Sequence, residues 1–157
     1  GYEVSEKGFR QMLADLKEPV KKIQKAGLTF GYHNHAIEFT RMENGKTLYD
    51  LLREETDFHF IMDTYWVEKA GGNAVDMIYA LQGRMENIHF KDMAKTEEKE
   101  ICACGDGSLD FAAIIAACEA TGVKNAFVEQ DNACEFPDPY GEMAKSCRYL
   151  TPLVYHN

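Results

Sequence analysis

The chain has 157 residues, 45% of them hydrophobic and 27% charged, with a formal charge of −9. Nine Phe, eight Tyr and one Trp, with abundant Ile, Leu and Val, fit one globular domain over residues 1–157 and exclude a disordered chain. No apolar run nears the ~20 residues of a membrane span, and the acidic balance opposes a nucleic-acid backbone as partner.

The opening segment, Gly1 to Arg10, is polar and lacks the apolar stretch of a secretory leader. It starts on Gly rather than Met, so a processed or excerpted chain is expected. Phe9, Met12, Leu13, Leu16, Val20 and Ile23 then recur at helical spacing. Ser5 is the natural N-cap and Gly27 the C-terminal stop. Pro19 inside this pattern predicts a kink or a break into two helices. Leu28 to His33 reads as the first strand and Thr47 to Glu55 as a short helix. Phe58 to Asp63 is the second strand. Asn73 caps a helix over Ala74 to Leu81, closed by Gly83. Asn87 to Lys91 is the third strand. Ser108 or Asp110 caps a helix over Phe111 to Ala120, closed by Gly122, and Asn125 to Glu129 is the fourth strand. A last helix spans roughly Tyr140 to Leu150.

Strands alternating with helices predict βαβ units and a parallel α/β sheet whose strand ends share one face. The polar residues gather at those ends: His33-Asn34-His35, Asp63, His89-Phe90-Lys91-Asp92 and Glu129-Gln130-Asp131. Asp63, His89 and Glu129 form a mixed oxygen and nitrogen donor set suited to Mn, Zn, Co or Mg. A fourth donor should come from the first strand or the loop after it. His33 and His35 share a side by strand alternation, and Glu38 lies just beyond. Either histidine could also serve as a base or hold a sugar hydroxyl. Lys91 shares the side of His89; it could hold an anionic oxygen, or pair with Asp63 or Asp92. Tyr65 and Trp66 could wall a sugar ring, or could be plain core aromatics.

The five cysteines, Cys102, Cys104, Cys118, Cys134 and Cys147, are odd in number and irregular in spacing. They read as reduced thiols of a cytoplasmic protein. Cys102 and Cys104 lack the second pair that a zinc site needs. Gly105-Asp106-Gly107 reads as a turn rather than a phosphate loop, and Glu97-Glu98-Lys99-Glu100 as a solvated loop. His59, Cys118 and His156 carry no assigned chemistry.

Five strings in order, GYHNHAIEF (31–39), IMDTYW (61–66), IHFKDM (88–93), GDGSLDF (105–111) and VEQD (128–131), resemble the sugar phosphate isomerase/epimerase superfamily. This xylose isomerase-like TIM-barrel group also holds endonuclease IV-like enzymes. The resemblance implies a (β/α)8 barrel with a divalent metal held by Glu, Asp, His and Glu from its last four strands. Asp63, His89 and Glu129 match the last three of these. At the first position the sequence has His33, so either His33 or Glu38 completes the set. Glu38 is the expected ligand, because a hard ion favours the added carboxylate. A whole barrel needs ~250 residues, so the chain resembles the C-terminal half, with about four parallel strands and flanking helices. A missing N-terminal half, or a second copy in a homo-oligomer, is expected to complete it.

The implied chemistry is isomerisation or epimerisation of a sugar or keto-sugar by proton abstraction next to a carbonyl. Glu129, His35 and Lys91 are the expected catalytic residues, and His33 and Trp66 the expected substrate contacts. A keto-sugar lyase or dehydratase of the same family, and a non-catalytic half-barrel, are the alternatives. The endonuclease branch is disfavoured by the charge and by Trp66, which stands where a further metal-binding His is wanted.

Overall fold

The computed structural model describes residues 3–155. Helix α1 (Glu6–Lys25) is capped by the Ser5 hydroxyl, which accepts from the Gly8 amide at 3.1 Å. Pro19 lies inside α1 without dividing it, contrary to the expected break. Its apolar stripe of Phe9, Met12 and Val20 is buried on both sides of the proline, and that packing outweighs the lost amide. Gly27 takes a φ of +75°, as a C-terminal stop requires.

Strand β1 (Gly31–His33) is shorter than expected, because Gly31 is the first residue that finds a partner, His59. A short 3-10 turn, Ile37–Phe39, leads to helix α2 (Leu48–Glu55). Thr47 and Asp50 cap α2 reciprocally, each side chain accepting the other's amide. Strand β2 (His59–Asp63) runs directly into α3 (Thr64–Lys69), a helix the periodicity did not show. Asp63 ends the strand and caps the helix, its Oδ1 accepting from the Trp66 amide at 3.1 Å. Helix α4 (Ala74–Ala80) follows, capped by Asn73. Strand β3 (Asn87–Phe90) leads to a small antiparallel pair, β4 (Asp92–Met93) and β5 (Ile101–Cys102). Asp110, rather than Ser108, caps helix α5 (Phe111–Thr121). Strand β6 (Asn125–Val128), a 3-10 turn and helix α6 (Pro139–Tyr155) complete the chain. His156 lies outside the described residues.

The main sheet has the order β1-β2-β3-β6, and every pairing is parallel. One face packs on helices: Phe60, Met62, Ile88 and Phe90 are buried with Leu52, Ile78, Phe111 and Ile114. The alternate residues Ile61, Asn87 and His89 point the other way and are only half-buried. β6 is mostly exposed, with Phe127 at 52%. Register puts Asp63 level with His89 and brings the C-terminal ends of all four strands to one edge. Among the described residues no helix is long and apolar enough to cross a membrane.

Candidate metal centre

Each of the four parallel strands delivers one side chain to the same place. His33 ends β1, Asp63 ends β2, His89 lies in β3, and Glu129 directly follows β6. Their donor atoms all lie within 4.8 Å of one another. His33 Nε2 stands 3.5 Å from Asp63 Oδ2, and His89 Nδ1 stands 2.9 Å from Glu129 Oε2. The His33 and His89 rings are 4.7 Å apart. Asp63 is fully buried, whereas the other three remain partly open. His33 Nε2 and Asp63 Oδ2 are both shielded from solvent and make no hydrogen bond. An unpartnered ring nitrogen, His33 Nε2, beside Asp63 Oδ2, whose charge Lys91 Nζ shares at 2.9 Å, suits a divalent cation that borderline nitrogen and hard oxygen donors share.

Glu38, the expected fourth ligand, lies outside this group, and His33 lies within it. Its carboxylate is committed elsewhere: Oε1 accepts from the Tyr32 hydroxyl at 3.0 Å and Oε2 from the His35 amide at 2.7 Å. Glu38 therefore braces the loop that carries the histidines. Burial, reinforced by Glu38, raises the pKa of the Tyr32 phenol, so Tyr32 remains a donor. Strand alternation already put His33 on the correct side. The turn at 37–39 spends the Glu38 carboxylate on the loop's own groups.

Lys91 is 1% exposed and reaches three carboxylates: Asp63 Oδ2 at 2.9 Å, Glu129 Oε2 at 2.8 Å and Asp131 Oδ2 at 3.1 Å. Burial disfavours its charge, but the contacts to Glu129 and Asp63 outweigh burial and hold its pKa above the ordinary value. Burial also opposes ionisation of Glu129, yet Lys91 and His89 keep its pKa below the usual range. Of the two pairings expected for Lys91, the structure shows Asp63 and not Asp92. Trp66 faces this group, its ring 5.7 Å from Lys91 Nζ and 5.4 Å from the His35 ring. The Trp66 Nε1 donor is shielded and unpaired.

Several supporting residues escaped the sequence reading. Asn34 is fully buried, and its Oδ1 accepts from the Asp63 amide at 3.1 Å, tying the ends of β1 and β2 together. The Thr64 hydroxyl donates to the Lys91 carbonyl at 2.8 Å and accepts from its amide at 3.0 Å. Asp92 is fully buried and gathers four amides, those of Met93, Gly105, Gly107 and Leu109. The Gly105-Asp106-Gly107 turn therefore folds onto an internal carboxylate, not onto a phosphate. A Cβ on Gly107 would lie 2.2 Å from Asp92 Oδ1, which is why that position has no side chain. The acidic loop is anchored as well: the Lys99 carbonyl accepts from the Tyr65 hydroxyl at 3.0 Å and from Lys69. Burial pushes the thiols of Cys102, Cys104 and Cys118 up to about 12, so they stay protonated.

No family model and no curated protein matches the chain. Solved structures do. A sugar phosphate isomerase/epimerase from Parabacteroides distasonis superposes with a TM-score of 0.82 at 25% identity, over 97% of this chain and 57% of its own. A structure of L-ribulose 3-epimerase matches with a TM-score of 0.72 at 16% identity, over 96% and 55%. A probable 3-DHS dehydratase involved in petrobactin synthesis from Bacillus anthracis matches at 0.71 and 12%, over 95% and 58%. The chain thus spans just over half the length of these neighbours. It carries the mixed α/β half-barrel fold of the xylose isomerase-like TIM-barrel proteins, the fold that its motifs resemble.

Proposed function

We propose that this chain supplies the metal-binding half of an isomerase or epimerase that moves a proton next to the carbonyl of a sugar or keto-sugar. The observation that carries this reading is the convergence of His33, Asp63, His89 and Glu129, one from each parallel strand, within 4.8 Å. A divalent ion held there would supply Lewis-acid polarisation of a carbonyl and its neighbouring hydroxyl. The protein's own groups supply the rest. Glu129 is ionised, partly open to solvent, and fixed by His89 and Lys91, so it can receive a proton at its carboxylate. His35 lies 5.1 Å from His33 and against Trp66, in reach of the same space as a second proton carrier or hydroxyl contact. The Lys91 ammonium stabilises negative charge on oxygen. Trp66 offers a ring face. Removal of water by a hydroxyl leaving from the adjacent carbon needs the same first step, and the dehydratase among the structural neighbours supports that second reading.

Two measurements test the proposal. Metal content of the purified chain should fall on Asp63→Ala and on Glu129→Ala; unchanged content refutes the site. Solvent deuterium should enter keto-sugars at the carbon beside the carbonyl when the chain is joined to a barrel-completing half. Absence of exchange with a metal-loaded protein refutes the reaction class.

A further inference from the structure

Asp131 holds the ammonium of Lys91. Of the three carboxylates around Nζ, only Asp131 combines a 3.1 Å distance with hydrogen-bond geometry. Asp63 Oδ2, at 2.9 Å, makes an ion pair but accepts no hydrogen bond. Asp63 Oδ1 is already taken by the Trp66 amide, so Oδ2 is the oxygen left for a cation. Lys91 and an incoming divalent ion therefore compete for Asp63 Oδ2 and Glu129 Oε2. Three carboxylates against one ammonium leave two negative charges, and one divalent cation cancels them. The two cations can coexist in so small a space only if the ammonium has a carboxylate of its own. Asp131 is 46% exposed and lies outside the four-donor set.

We propose that Asp131 is a positioning residue: it draws Lys91 off Asp63 and Glu129, so that a divalent cation and the ammonium occupy the site together. The inference rests on the metal reading of the site. The test is Mn2+ titration calorimetry on the full chain as a double-mutant cycle. Mn2+ is chosen because exposed Cys134 and Cys147 would compete for a softer ion. Asp131→Asn should weaken Mn2+ binding about tenfold when Lys91 is present, and less than about threefold in the Lys91→Met background. Asp131→Glu should restore most of the affinity. Equal losses in both backgrounds would show Asp131 acting as a general charge and would overturn the inference alone. No Mn2+ uptake by the unsubstituted chain would overturn the metal reading and the inference with it. Should Lys91→Met not fold, the side-chain ammonium resonance of Lys91 under Mg2+ gives the answer. It should persist in the loaded wild type and broaden away in loaded Asp131→Asn; persistence in both refutes the proposal.

Discussion

Replacing Asp92 by Asn deletes no atoms and barely changes volume, so its effect isolates the hydrogen bonds that the carboxylate makes. Oδ1 accepts from the Met93 and Leu109 amides at 2.7 and 3.1 Å, and Oδ2 from Gly105 and Gly107 at 2.9 and 3.1 Å. An Asn side chain has one oxygen, so its NH2 must face one of these two pairs of donors. Two bonds to a charged acceptor are lost, and two shielded amides are left facing a donor. At about 1.5–3 kcal/mol for each such bond, the expected loss is about 3–6 kcal/mol. That is a large share of the roughly 5–15 kcal/mol of a whole domain. Urea unfolding followed by far-UV circular dichroism measures it, with the m-value checked for constancy. The neighbouring Asp106→Asn is the control, because that side chain is 59% exposed with only a 3.9 Å contact to Lys145; its effect should stay within about 0.5 kcal/mol. A loss below about 1.5 kcal/mol for Asp92→Asn at unchanged m would refute the idea that this carboxylate organises the turn.

His33→Ala should weaken Mn2+ binding by at least about tenfold, the scale of losing one donor or its support, whereas Glu38→Gln should change it less than about threefold. Calorimetry that found the reverse order would reinstate Glu38 as the ligand. Thr47→Ala removes one half of the reciprocal cap of α2 and should cost about 1 kcal/mol in urea unfolding; a neutral outcome contradicts the capping role. Iodoacetamide at pH 8 should label exposed Cys134 and Cys147 quickly and spare buried Cys104 and Cys118, as mass spectrometry of the folded chain would show. The same burial makes a signed pH prediction. The folded pKa of Cys104 and of Cys118 is raised from 9.0 to about 12, so their contribution to stability is full below pH 9 and is lost as the pH rises toward 12. A stability flat from pH 8 to 11 would be inconsistent with it.

The convergence of Asp63, His89 and Glu129 was legible because each sits where a short apolar run ends, and parallel topology maps such ends onto one edge. Glu38 stays out of the cluster on a local matter: it lies three positions from His35, whose amide it captures, and no periodicity reveals a carboxylate spent on its own turn. Helix α3 was missed because Asp63 serves at once as the last residue of a strand and the cap of a helix. The usual turn residues between elements are simply absent there. β4 and β5 have two residues each, too few to show alternation. Asp92 and Asp131 were beyond sequence reading for another reason. Their partners lie 13 to 17 residues away for Asp92's grip on the turn and 40 for the Lys91–Asp131 contact, and only the folded chain brings them together. Pro19 shows the converse, a strong local signal overridden by burial on both sides of it.

The parallel sheet stops at β1 on one side and at β6 on the other. Each of these strands pairs along one edge only, so each leaves a row of amides and carbonyls able to recruit another strand. The acidic charge of −9 bears on what those rows do. Two copies approaching edge to edge repel one another over a range set by the ionic atmosphere, about 10 Å at 0.1 M salt and about 3 Å at 1 M. Colloidal behaviour of this chain is thereby tied to its topology: dilute buffer keeps like-charged copies apart, and concentrated salt removes that barrier while leaving the strand edges intact.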